Sequence, residues 1–111
     1  MIIKTLSKKY VREILEILNN KGVLTFSQLQ KETKLHQGTL SRLLSELIEE
    51  GLVEKWTEET EYMLPKSCYK ITQKGKNALI LYKLDDFIEK IGNKTIKFSI
   101  NENDKVSVIV G

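Results

Sequence analysis

Arg42 stands one helical turn behind Gly38 and about one turn ahead of Ser45 in HQGTLSRLLSELIEEGLVEK, the stretch from His36 to Lys55, with Thr39 and Ser41 alongside. At about 100° per residue, these residues lie opposite a leucine stripe of Leu40, Leu43, Leu44, Leu47 and Ile48. Small hydroxyls around one long cation suit oxyanion recognition. The backbone N–H groups of a helix start can hydrogen-bond a phosphate, glycine permits close approach, and a guanidinium can grip two oxygens at once. The charges also run against the dipole of the helix, with Arg42 near the front and Glu46, Glu49 and Glu50 at the back. A dipole favours the reverse order by roughly 0.3 to 1 kcal/mol per surface charge. An anion meeting the front end would resolve the conflict.

Lys8 and Lys9, with Lys4 and Arg12 near them, repeat the pattern at the start of a first helix. Lys31 and Lys34 lie at the end of a second helix and in the turn after it, and Lys21 precedes it. A solvated basic surface accounts for these lysines equally well. His36 occupies a position where Ser, Thr or Asp caps better, so it serves either helix placement or anion contact. One cysteine, Cys68, and one histidine cannot supply a zinc site of the usual kind or a disulfide framework. No Ser-His-Asp order, phosphate loop or metal cluster stands out, so no cofactor, no metal and no enzymatic activity are expected.

Helices must position these groups. Ser7 is a candidate cap for a helix over KKYVREILEILNN, stopped by Gly22, and Thr25 with Gln28 forms a capping box before FSQLQKETK. The third helix runs from residue 37 to 50 and closes at Gly51. LVEKWTEE and SCYKIT then read as a β-hairpin with a tip around Thr60 to Lys66, where Pro65 cannot donate to a central ladder. Thr72 caps a long fourth helix to about Ile91. It carries Leu81, Leu84, Ile88 and Ile91 on one row with Ile80 and Phe87 beside them, more apolar surface than one small domain can cover. The tail alternates Ile96, Phe98, Ile100 and Val106, Val108, Val110 around NENDK, a second hairpin whose apolar face must lie on something.

With 111 residues and 41% hydrophobic content, the chain suits one domain with an appendage. A net charge of +3 makes any anion-binding surface a local patch. No stretch approaches a membrane span and the first ten residues lack a signal-peptide core, so a soluble cytoplasmic protein is expected.

The order of three helices and a hairpin is that of a winged helix-turn-helix, and the residues support it. Q-G-T-L-S-R-L-L-x-x-L-x-x-x-G-L-V, Gln37 to Val53, resembles the recognition helix and first wing strand of MarR, HxlR and PadR-like transcription regulators. Y-K-I-T-Q-K-G, Tyr69 to Gly75, resembles the passage from the second wing strand into the next helix, and together the motifs span roughly Val11 to Leu84. The resemblance implies an α+β, mostly helical fold: residues 1–75 a DNA-binding domain, and 76–111 a dimerisation element of long fourth helix and C-terminal β-hairpin. It also points to an archaeal source. It implies double-stranded DNA as partner, with the third helix in the major groove. His36, Gln37, Gly38, Thr39, Ser41, Arg42 and Ser45 would reach DNA, helped by Lys34, Lys66, Lys8 and Lys9. A homodimer would form through Ile80, Leu81, Leu84, Phe87, Ile88 and Ile91.

Some resembling regulators sense redox through cysteine, but Cys68 on a wing strand reads better as a buried inert thiol. Trp56 and Tyr69 sit at strand positions and read as sheet packing rather than base stacking. The wing departs from the family pattern. Glu54, Glu58, Glu59 and Glu61 outweigh Lys55 and Lys66 there, whereas a wing gripping phosphates should be basic. Its apolar tip, Tyr62, Met63 and Leu64, could instead meet a partner. A winged-helix protein-interaction module therefore stays open as an alternative. Non-specific DNA packaging fits poorly with so modest a net charge. No convergent polar groups indicate a small-molecule effector.

Overall fold

The computed structural model describes residues 1–61 and 63–111, and for residues 60 and 63 the backbone alone. The elements are α1 (Ile2–Leu6), α2 (Val11–Lys21), β1 (Leu24–Thr25), α3 (Phe26–Thr33), α4 (Gln37–Glu49), β2 (Val53–Thr60), β3 (Met63–Ile71), α5 (Gln73–Ile91), β4 (Ile96–Ile100) and β5 (Val106–Val110). The chain is α+β and mostly helical, and α2 to β3 have winged helix-turn-helix order.

The long helix is the fifth rather than the fourth, because residues 2–6 form a helix of their own. Ser7 ends that helix instead of capping the next one: its hydroxyl donates to the Lys4 carbonyl at 2.7 Å and its N–H to the Ile3 carbonyl at 3.0 Å. The chain then turns through Tyr10, which precedes α2 with φ at 74°. Lys8 and Lys9 consequently lie in the turn between α1 and α2, not on a helix start.

Val11, Ile14, Leu15 and Leu18 of α2 meet Leu29 of α3 and Leu40, Leu43, Leu44 and Leu47 of α4 in one core, where nearly all are fully buried. The Thr25 capping box forms as its T-x-x-Q spacing requires, the Thr25 hydroxyl accepting from the Gln28 N–H and Gln28 Oε1 from the Thr25 N–H. Leu24 and Thr25 also pair with Tyr69 and Cys68, adding an unforeseen third strand to the wing sheet, in the order β1-β3-β2. Helix α4 ends in a Schellman motif: Leu52 N–H reaches the Leu47 carbonyl, Gly51 N–H the Ile48 carbonyl, and Gly51 takes φ of 76°. The fully buried Leu52 carries this turn directly into β2.

The wing is longer than its sequence suggested. β3 begins at Met63 and contains Pro65, tolerated because the β2–β3 register shifts between Glu58 and Thr60. Leu64 at the tip is exposed, while Tyr62 lies outside the described residues and Met63 is described by its backbone alone.

Thr72 starts α5, its hydroxyl accepting from the Gly75 N–H at 3.0 Å and donating to the Gly51 carbonyl at 2.7 Å. Gly75 is required by close approach: a Cβ there would run into the Leu52 carbonyl oxygen and the Ile71 side chain. Gly75, Ala78 and Leu79 are buried, and the Tyr82 hydroxyl donates to the Leu6 carbonyl at 2.7 Å. This body-facing row is distinct from the apolar rows prominent in the sequence. Of those, Leu81 packs partly on the core, Phe87 and Ile91 are half-buried, and Ile80, Leu84 and Ile88 are exposed.

Beyond α5, β4 and β5 pair antiparallel as Ile96 with Val110, Phe98 with Val108 and Ile100 with Val106, so both apolar triplets share one face. Apart from the half-buried Ile96, every residue of the two strands is exposed. The molecule measures 60 × 31 × 23 Å with a radius of gyration of 17.3 Å, against about 13 Å for a compact chain of this length. The hairpin is an arm, and its apolar face is uncovered. No described helix is long and apolar enough to cross a membrane.

Candidate nucleic-acid interface

The leucine stripe of α4 is driven into the core, which turns the opposite face outward. His36, Gln37, Gly38, Ser41, Arg42 and Ser45 are exposed, and Thr39 is half-buried. The front end is uncovered: the His36 side chain makes no capping hydrogen bond, and nothing lies within 4 Å of the position a Gly38 Cβ would take. Arg42 makes no ion pair among the described residues. This is the disposition an incoming anion needs, since neither steric cover nor an internal carboxylate competes for the guanidinium.

The α1–α2 turn brings Lys8 and Lys9 against this helix. Lys8, Lys9, Tyr10, Thr39, Arg42, Leu43 and Glu46 line an open cleft of about 510 Å³. Residues separated by some thirty positions thus converge, because the turn packs beside the middle of α4 and leaves its first residues uncovered. Tyr10 makes the turn tight. A left-handed backbone is costly for a bulky residue and persists where its surroundings impose it, often at functional sites. Lys9 Nζ lies 5.0 Å above the Tyr10 ring centre.

Glu46 changes the charge pattern expected for the helix. It does not stand beyond the basic face but enters the cleft, where Oε2 accepts from Lys8 Nζ at 2.7 Å. Lys8 is thereby neutralised and Lys9 and Arg42 carry the remaining positive charge. Glu46 is four residues after Arg42 and so shares its face by helical geometry, a signal present in the sequence. Tyr10 gave no such signal, because the apparent Ser7 cap concealed the turn.

The other lysines divide. Lys34 is exposed in a left-handed turn after α3, and Lys31 is exposed nearby. Lys21 is bound to Glu32 at 2.7 Å. Lys66 does not join the cleft; it borders a separate groove with Thr25, Phe26, Ser27, Pro65 and Ser67, between the start of α3 and the wing. In the wing, Lys70 pairs with Glu54 at 3.6 Å and lies over Trp56, and Lys55 lies over Tyr69. These contacts engage Lys55 and Lys70, while Lys66 and the acids Glu58, Glu59 and Glu61 are exposed. Cys68 is buried between Thr25 and Trp56 in the sheet, and burial together with Glu58 pushes its thiol pKa up, away from the reactive thiolate. Among the described residues no three His, Cys, Asp or Glu side chains cluster as metal ligands.

The arrangement is similar to known regulators. Residues 8–55 match the family described as bacterial regulatory protein, arsR family. An uncharacterized HTH-type transcriptional regulator of Methanocaldococcus jannaschii, MJ0361, is 47% identical over 79 residues, 71% of this chain and 73% of its own. A second protein of that archaeon, the uncharacterized MJ0944, is 46% identical over 111 residues, covering all of this chain and 87% of its own. Among solved structures, the reduced form of the transcriptional regulator YodB from B. subtilis superposes with a TM-score of 0.70 at 19% identity, covering 83% of this chain and 88% of that one. At that identity the likeness concerns the fold.

Proposed function

Because the chain belongs to the winged helix-turn-helix transcriptional regulators, with archaeal relatives, we propose that it binds double-stranded DNA sequence-specifically as a homodimer, each α4 entering a major groove. Support comes above all from the open cleft in which Lys9, Thr39 and Arg42 converge at the uncovered front of α4. Arg42 reads guanine through a bidentate pair or holds a phosphate, while Gln37, Thr39, Ser41 and Ser45 offer shorter donors beside it. Lys9, Lys34 and, through its exchange of partner, Lys8 neutralise backbone phosphates and set register without reading sequence. Glu46 repels phosphate from the middle of the helix and keeps the front end inward.

Residues 76–111 form the dimerisation element in this reading. The exposed row Ile80, Leu84 and Ile88, flanked by Leu81, Phe87 and Ile91, is apolar surface that its own body leaves uncovered. Two protomers would present their α4 helices to half-sites about one helical turn, ~10 bp, apart.

Selection of bound sequences from a random duplex pool, followed by footprinting, tests this. Enrichment of paired half-sites with that spacing is expected. Absence of enrichment, with no salt-dependent retention on any duplex, overturns it. The exposed acids of the wing favour the second reading, an interaction module without specific DNA affinity. That reading predicts a protein partner retained at salt concentrations that abolish DNA binding.

A further inference from the structure

The arm beyond α5 carries an apolar face that the rest of its chain does not touch. Phe98 is 63% exposed, Ile100 62%, Val106 53% and Val108 50%. Its other face carries Lys97, Ser99 and Ser107, with Ile109 the one apolar residue there. An isolated two-stranded hairpin is marginal in water. The strand geometry is nonetheless regular: Thr95 and Gly111 close the open end with two backbone bonds, and Asn101 Oδ1 accepts from the Asn103 and Lys105 N–H groups at the turn. A well-made hairpin with one continuous apolar face is built to be covered.

We propose that a second copy of this chain covers it, making the hairpin a dimer-locking arm. The inference rests on the homodimer reading above and names a surface that the helix row alone does not supply. Charge allows it: Lys97 and Lys105 balance Glu102 and Asp104, so the arm has no net side-chain charge to repel its copy or to attract a polyanion. Area favours it. The three exposed apolar side chains of α5, Ile80, Leu84 and Ile88, amount to only about 500 Å² over two protomers, and the apolar face of both hairpins raises this to roughly 1,400 Å², within the range of stable interfaces. The arm also follows α5 through only the short 92–95 connection, so the two surfaces are continuous along the chain.

Sedimentation equilibrium and amide hydrogen exchange on the full chain test this together. Phe98→Asp with Val108→Asp is expected to raise the dimer Kd at least 100-fold, and Lys97→Glu with Ser107→Glu, on the opposite face, less than threefold. Retained helical circular dichroism, and a melting temperature equal to that of the unmodified protein when both are diluted to monomer, identify folded variants. In the unmodified protein, amides of residues 96–110 should be protected above the dimer Kd and exchange freely below it. If the protein is dimeric yet the F98D/V108D pair leaves Kd unchanged, or those amides are unprotected in the dimer, the arm proposal fails while a helix-mediated homodimer survives. Equal protection in the monomer places the arm on its own chain and also overturns it. A chain monomeric at all concentrations removes the homodimer reading itself.

Discussion

The body and the arm solve the problem of apolar surface in opposite ways. In the body, helices α2 to α4 and the wing sheet turn every strong apolar stripe inward, and what remains outside, single residues such as Val23 and Leu64 aside, is polar and carries the cleft. In the arm, the same amphipathic alternation produces a face with nothing on it. Amphipathicity alone therefore does not say where a face is buried. The body closes its core with its own elements, whereas the arm's apolar face has no cover from its own chain.

Core truncation gives the largest contrast. Leu47→Ala, at a fully buried site, should cost ~3 kcal/mol of unfolding free energy, within the range for leucine cavities. Phe98→Ala, measured at a dilution where the chain is monomeric, should leave the same denaturation midpoint unmoved. A comparable loss from both would mean that the arm belongs to the body's cooperative unit.

Surface chemistry should separate the regions next. Arg42→Ala is expected to weaken binding at the selected DNA site by ~1–3 kcal/mol, with less loss on random duplex. Lys9→Ala should weaken all duplexes alike and reduce the salt slope by about one. Glu46→Gln releases Lys8 and should strengthen non-specific binding by up to ~1 kcal/mol, the upper range for a surface ion pair. Charge changes on the arm, such as Lys97→Glu, should alter none of these titrations.

The body was largely legible in the sequence because its signals are local. The Thr25 capping box, the Gly51 stop and the leucine stripe of α4 each act within a few residues, and the structure reproduces them. One misreading and one omission differ in cause. Ser7 satisfies the pattern of an N-cap but bonds backward to Lys4, three residues away, whereas Leu24–Thr25 is too short to show strand alternation and is defined by its pairing with Tyr69 and Cys68. The cleft was half visible. Arg42 and its neighbours could be read from helical spacing, but the approach of Lys8 and Lys9 depended on a strained turn at Tyr10 that no residue type announced. Along α5, the residues fully buried against the body, Gly75, Ala78 and Leu79, are small or few, and the larger apolar residues, of which Leu81 packs only partly on the core, draw attention to the uncovered rows instead.

The smallest expected effects lie where α5, the helix that leads to the arm, is fastened to α2. Arg12 of α2 bonds Asp86 of α5 through two nitrogens, at 2.9 and 3.3 Å, and also bonds Glu16, while its guanidinium lies over the Tyr82 ring. The hydrogen bond from Arg12 holds the Asp86 carboxyl below its usual pKa, so its contribution is full above the unfolded value near 4 and disappears as pH falls through the lower folded value. Tyr82 titrates oppositely: burial pushes its hydroxyl up to about 12, so the stabilisation is complete below the ordinary value near 10 and is lost as pH rises toward 12. Melting curves across pH should show Asp86→Asn removing part of the acid-side decline and Tyr82→Phe part of the alkaline one, each without altering the other limb. Because the Arg12–Asp86 pair is solvent-exposed, the acid effect should be small and should shrink further with salt. If both substitutions are silent, α5 is held by the apolar packing of Ala78, Leu79, Leu81 and the residue 82 ring, and the polar clasp orients it without stabilising it.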